Sequence, residues 1–140
     1  MAYSTGSHSI FHHRYHIVWA PKYRFKVLHG QVRLRVREII KQVCAEMDVT
    51  IISGLLSADH VHMFVEIPPK IAASDFVRRA KGRSSRRIQQ EFEHIRKRYW
   101  GQRFWARGYF STTSGNITDT VILHYLNNHV ETPTGLSHAP

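Results

Sequence analysis

The stretch SADHVHMFVEIP, residues 57–68, constrains the fold most, because its apolar residues recur at every second position. Val61, Met63, Val65 and Ile67 alternate as a strand with one buried face requires, and Pro68-Pro69 ends the run. The other face must then carry His60, His62, Phe64 and Glu66. Two imidazoles side by side can pack, bind a metal ion or take part in catalysis. The alternation does not choose among these.

The neighbouring segments set the architecture. FHHRYHIVW, 11–19, reads as a strand rich in aromatic and β-branched residues, followed by a turn at Pro21. From Gln31 to Met47, the positions Val32, Val36, Ile39, Ile40, Val43 and Met47 follow helical spacing. VTIISGLL, 49–56, reads as a strand with Gly54 marking a bulge, joined by a turn at Ser57–Asp59 to the His-bearing strand. Ser74 and Asp75 are N-cap residues for a helix to Phe92, which Gly82 and Ser84-Ser85 are expected to bend. RFWARGYFSTT, 103–113, reads as a strand and Ser114-Gly115-Asn116 as a turn. Thr118 and Asp119 open a last helix to Val130, and TPTGLSHAP has no pattern and reads as a mobile tail. The order β-α-β-β-α-β-α predicts an α+β fold: a ferredoxin-like, split βαβ antiparallel sheet with helices on one face and an added C-terminal helix. The whole chain, 1–140, reads as one domain, with 11–131 ordered between two tails.

Charge narrows the partners. Twenty Lys/Arg oppose ten Asp/Glu, a net charge of +10. Residues 78–98 hold nine basic side chains against Glu91 and Glu93, so seven of the ten net charges fall in 21 residues. Such density suits a polyanion, because each neutralised phosphate releases condensed counterions. No apolar run approaches the ~20 residues that span a bilayer, and the N-terminus lacks a signal-peptide core; a cytoplasmic location is expected, with no membrane. Cys44 is the single cysteine, which removes disulfide frameworks and cysteine-based zinc modules. Any metal site must use His, carboxylate, amide or phenolate ligands.

The final helix contains ILHYLNNHVE, in which Tyr125 and His129 stand four residues apart and share a face. If that face lies over His60 and His62, three imidazoles and one phenol converge. Two or three protein ligands with open positions is the layout of a catalytic rather than a structural metal site. A tyrosine can act as a nucleophile and form a covalent intermediate. Each piece also has an ordinary structural reading: half-buried strand histidines, a packed tyrosine, and a histidine complementing a helix C-terminus.

Five blocks in order resemble the single-tyrosine HUH transposases of the smallest bacterial insertion sequences (IS200-like transposases). They are YHIVWAPKYR (15–24), ADHVHMFVEIPP (58–69), SDFVRRAKGRSSRRIQQEF (74–92), YWGQRFWARGYFSTTSGNIT (99–118) and HYLNNH (124–129). The resemblance spans residues 13–131 and implies His60 and His62 as metal ligands and Tyr125 as nucleophile. It implies His129 as third ligand, where the family usually carries glutamine. It further implies cleavage and rejoining of single-stranded DNA at insertion-sequence ends through a 5′-phosphotyrosine. The ion implied is Mg²⁺ or Mn²⁺, whereas a His-rich donor set also suits Zn²⁺. The implied partners are single-stranded DNA with hairpin ends and a second copy of the chain, in a homodimer whose tyrosine helix can serve the partner's histidines. Arg14, Lys22, Arg24, Arg78, Arg79, Lys81, Arg83, Arg86 and Arg87 are the DNA-contact candidates. The alternative is a non-catalytic ferredoxin-like nucleic-acid-binding module, which requires stacking aromatics on an exposed sheet face.

Overall fold

The computed structural model describes residues 13–113 and 115–133; both outer tail segments, 1–12 and 134–140, and Ser114 of the predicted turn lie outside the described residues. Four strands form one sheet in the order β2-β3-β1-β4, with β1 at Arg14–Trp19, β2 at Thr50–Ser57, β3 at His60–Glu66 and β4 at Phe110–Thr112. All three pairings are antiparallel. The helices are α1 (Gly30–Glu46), α2 (Ala73–Glu91), the short α3 (Glu93–Arg98) and α4 (Asp119–His129). This is the predicted α+β arrangement.

Alternation decides which face of the sheet each helix covers. Val61, Met63 and Val65 of β3 stand opposite Trp19, Ile17 and Tyr15 of β1. That face meets the apolar stripe of α1 (Val32, Val36, Ile39, Ile40, Val43) and Phe76, Val77, Ala80 and Ile88 of α2 in the main core. Cys44 belongs to this core, and burial pushes its thiol up to about 12, so it is an inert packing residue. Two ion pairs tie the helices across their outer surface: Arg35 to Glu91 at 2.8 Å and Arg83 to Glu46 at 2.5 Å. The second face carries a smaller cluster in which Ile122, Tyr125, Leu126 and Val130 of α4 cover Val18, Ala20 and Ala106.

Four local expectations are corrected. Ser74 and Asp75 do not cap α2: Ala72 stands at the N-cap position, and both residues lie within the first turn. The bend anticipated near Gly82 is absent: α2 runs unbroken because buried Ser84 turns its hydroxyl back to the Ala80 carbonyl at 2.6 Å and accepts a 2.9 Å bond from Trp105 Nε1. The β2 irregularity falls between Ile51 and Ser53, while Gly54 pairs in register with Met63. The strand expected over 103–113 shortens to Phe110–Thr112, because buried Phe104 and Trp105 turn into the core; only an isolated bridge joins Trp105 to Pro21. Among the described residues no helix is long and apolar enough to cross a membrane.

Ile17 of β1, paired with Met63 of β3, is fully buried in the main core. Ile17→Ala is expected to cost about 2–5 kcal/mol, read as a lower urea midpoint with an unchanged slope.

Candidate functional site

β3 and β1 build the site together. In the observed register Val18 stands opposite His62, and His16 opposite Phe64. Since opposed residues share a face, His16 lies beside the two β3 imidazoles. α4 covers the β1–β4 side of this face through Val18 and Phe110, leaving His60, His62 and Phe64 half-buried at its margin.

Each β3 imidazole is held by a different partner. His60 Nδ1 lies 2.9 Å from Asp59 Oδ1. Arg24 donates from Nε (3.3 Å) and Nη2 (3.1 Å) to the other carboxylate oxygen. Burial alone would raise the Asp59 carboxyl; the hydrogen bonds from His60 and Arg24 outweigh it and hold the group below the usual range. The Asp59 carboxylate accepts, so His60 donates from Nδ1, which in the neutral ring leaves the lone pair on Nε2. His62 Nε2 lies 3.1 Å from His16 Nδ1, and His16 Nε2 lies 3.4 Å from the Gly115 carbonyl. A carbonyl can only accept, so His16 donates from Nε2. With a single proton on that ring, Nδ1 accepts from His62 Nε2, and the His62 lone pair then falls on Nδ1. His16 is buried and stacks on Phe64 with ring centroids 4.2 Å apart, which immobilises it. Burial, with His16 and His60 nearby, lowers the His62 pKa; Asp119 at the start of α4 opposes this.

Tyr125 is buried against Phe110, with centroids 5.8 Å apart, and His129 stacks on its ring at 5.5 Å. The shared helical face expected of Tyr125 and His129 is thus present, and burial raises the Tyr125 phenol above its ordinary value. The face lies on the histidine side of the sheet, yet His129 does not join the pair. Among the described residues no three His, Cys, Asp or Glu side chains stand close enough to share an ion. His60 Nε2 and His62 Nδ1 nevertheless fit part of the donor set of a divalent ion. Both rings are oriented by a second hydrogen bond, as ligating imidazoles usually are.

The basic candidates divide by what they touch. Arg14 pairs with Glu66, Arg24 with Asp59, Arg78 with Asp75 and Arg83 with Glu46. Lys81 donates to the Ala106 and Gly108 carbonyls, and burial, helped by Arg103, lowers its amine to about 8. Lys22 lies over the Tyr23 ring. Arg79, Arg86 and Arg87 make no salt bridge with any described residue, although Arg79 and Arg87 stand near the Glu46 carboxylate and Arg87 near that of Glu91. Arg86 also lines a groove of about 930 Å³ between α2 and residues 103–109.

Sequence reading missed two contributors. His16 could have been found, since Ile17 and Trp19 face the helices and the strand order places β1 beside β3. The role of Arg24 could not, because its partners Asp59 and Asn127 are brought to it by separate segments.

Known proteins share this fold and much of this sequence. The family described as "Transposase IS200 like" matches residues 9–129. The transposase for insertion sequence element IS200 of Salmonella typhimurium is 37% identical over 125 residues, covering 89% of this chain and 82% of that protein. The ISDra2 transposase TnpA of Deinococcus radiodurans is 29% identical over 123 residues, 88% of each. A crystal structure of a candidate transposase from Deinococcus radiodurans superposes with a TM-score of 0.76 at 28% identity, covering 85% of this chain and 92% of that one. The REP-associated tyrosine transposase, solved bound to a REP hairpin, shares the fold at a TM-score of 0.58 and 14% identity, over 83% and 63% of the two chains.

The shifts give a pH dependence. A histidine whose folded pKa is depressed stabilises the fold above its unfolded value of 6.5, and that contribution is lost as pH falls. Asp59, also depressed, loses its contribution only below its unfolded value of 3.8. Urea midpoints taken between pH 7.5 and 5 should therefore fall with acidity, and His62→Gln should flatten that slope.

Proposed function

This chain belongs to the family of IS200-like transposases, and on that premise we propose that it cleaves and rejoins single-stranded DNA at insertion-sequence ends, with Tyr125 as nucleophile and a divalent ion held by His60 and His62. The observation that carries the reading is the common sheet face: two oriented imidazoles on β3 and a helix bearing tyrosine packed on the adjoining strands.

In the proposed reaction the Tyr125 oxygen forms a bond to phosphorus while the bond from phosphorus to the 3′ oxygen breaks. The phenol gives up one proton and the leaving oxygen gains one, so a 5′-phosphotyrosine and a 3′-hydroxyl result with no net change in protons. The phosphoester energy is kept in the new bond, and rejoining is the reverse attack by a 3′-hydroxyl. Mg²⁺ or Mn²⁺ at His60 Nε2 and His62 Nδ1 would polarise the phosphate and stabilise the charge of the transition state. Because burial raises the Tyr125 phenol, the helix must present it differently to substrate than in the free chain, or its proton must leave as the bond forms.

The reading extends to a homodimer. Two histidines are an incomplete donor set, and within one chain His129 stays against Tyr125. A second copy that offers its tyrosine helix would supply both the nucleophile and the third ligand. The basic side chains of α2, among them Arg79, Arg86 and Arg87, suit the backbone of a DNA strand with hairpin ends.

Incubation with labelled single-stranded DNA carrying an element end tests the proposal. A covalent adduct is expected with Mg²⁺ or Mn²⁺ and none with EDTA. Tyr125→Phe, His60→Ala and His62→Ala should each lower adduct formation about 10³-fold or more, with DNA binding largely kept. An undiminished adduct in Tyr125→Phe removes the nucleophile assignment. Mixing His60→Ala with Tyr125→Phe protomers should restore activity if the helix serves the partner, with the adduct on the His60→Ala chain. Separately, Arg87→Ala should weaken binding and reduce the slope of log affinity against log salt by about 1.

A further inference from the structure

We propose that Arg24 is a positioning residue that joins the two halves of the site, fixing the His60 ring through Asp59 and holding the tyrosine helix through Asn127. The proposal rests on the functional reading of His60 and Tyr125 given above.

The geometry is that of one guanidinium with two arms. Nε and Nη2 both reach Asp59 Oδ2, at 3.3 and 3.1 Å. This leaves Oδ1 for His60 Nδ1 at 2.9 Å. The remaining nitrogen, Nη1, donates to Asn127 Oδ1 at 2.7 Å. Asn127 lies two residues after Tyr125, on α4. The Arg24 and Asp59 side chains are only 21% and 18% exposed, so the pair is screened from bulk water. No other hydrogen bond between side chains links α4 to the loop after β1 among the described residues.

The backbone is shaped to make this reach. Tyr23 and Arg24 both have left-handed angles, φ 65° and 53°, which non-glycine residues seldom adopt. Their neighbours hold them there: the Lys22 amide donates to the Phe104 carbonyl at 2.8 Å, and the Tyr23 hydroxyl donates to Gln102 at 3.0 Å. A lysine could neutralise Asp59 but could not serve both arms, because its ammonium is one compact donor rather than a fixed planar fork. These bonds engage all three guanidinium nitrogens and three of their five N–H donors, which fixes the plane of the Arg24 fork.

The test compares Arg24→Lys, Arg24→Ala and Asn127→Leu with the parent chain, without DNA or metal, by amide hydrogen exchange and by the ¹⁵N imidazole spectrum of His60. Both Arg24 variants should speed exchange of the amides of residues 119–129 about tenfold, the scale of one charge-assisted hydrogen bond. Both should also weaken the Nδ1–H signature of His60. Asn127→Leu should speed the same amides while leaving the His60 spectrum unchanged, and Asn127→Asp should restore slow exchange. In the adduct assay Arg24→Lys should slow covalent attack with DNA affinity unchanged. Parent-like α4 exchange and His60 spectra in Arg24→Lys would overturn the proposal, as would a loss of DNA affinity that accounts for the slower attack. If Arg24→Ala does not fold, Arg24→Lys and Asn127→Leu still decide. Failure of the parent chain to form any adduct would count against the nucleophile reading alone, since exchange and imidazole spectra do not depend on it.

Discussion

The antiparallel pairing of β1 with β3 is the contact on which the rest of the molecule depends. Its register, Ile17 against Met63 and Val18 against His62, decides at one stroke which residues enter the main core and which face the second side. A slip of one residue would send the imidazoles into the apolar layer under α1 and α2 and expose the valines and methionine. Burial of the odd-numbered side chains of both strands opposes that slip strongly, so the hydrophobic effect in the core aims the histidines on the other face. The site is thus specified by residues that never touch it.

The second face breaks local rules that the first obeys. It buries an imidazole, His16, and places two consecutive residues, Tyr23 and Arg24, in left-handed backbone. It ends in a helix on which the exposed His129 stacks against the buried ring of Tyr125. Such departures cost stability and persist only where the surroundings over-determine them. Here the compensation is visible in the chain of polar contacts from Asn127 through Arg24 and Asp59 to His60, and from Gly115 through His16 to His62. The first chain spans three separate segments, and both orient a nitrogen lone pair.

Much of this was legible in the residues. Period-two alternation located β3 and the direction of His60 and His62, and helical spacing located α1 and the shared face of Tyr125 and His129. The order of elements implied the sheet and hence the neighbourhood of β1 and β3. What could not be read depended on tertiary partners. Gly82 and Ser84 suggested a bend by propensity, but Ser84 is satisfied by Ala80 and Trp105, so helix packing won. Residues 103–109 looked like a strand because they are aromatic and apolar, yet Phe104 and Trp105 serve the core instead of a ladder. The meeting of His129 with the histidine pair was a conditional expectation, and among the described residues of a single chain it does not occur. Arg24 carried no signal beyond its charge.

The central claim is that this fold aims one phenol, that of Tyr125, at phosphorus. Mass spectrometry of the trapped protein–DNA adduct tests it most directly. Residues 108–140 hold no Lys or Arg, so trypsin releases them in one peptide beginning at Gly108, and their tyrosines are Tyr109 and Tyr125. Fragmentation of that peptide should place the nucleotide phosphate on Tyr125. A phosphate found on Tyr109, or on any peptide upstream of Gly108, would contradict the account.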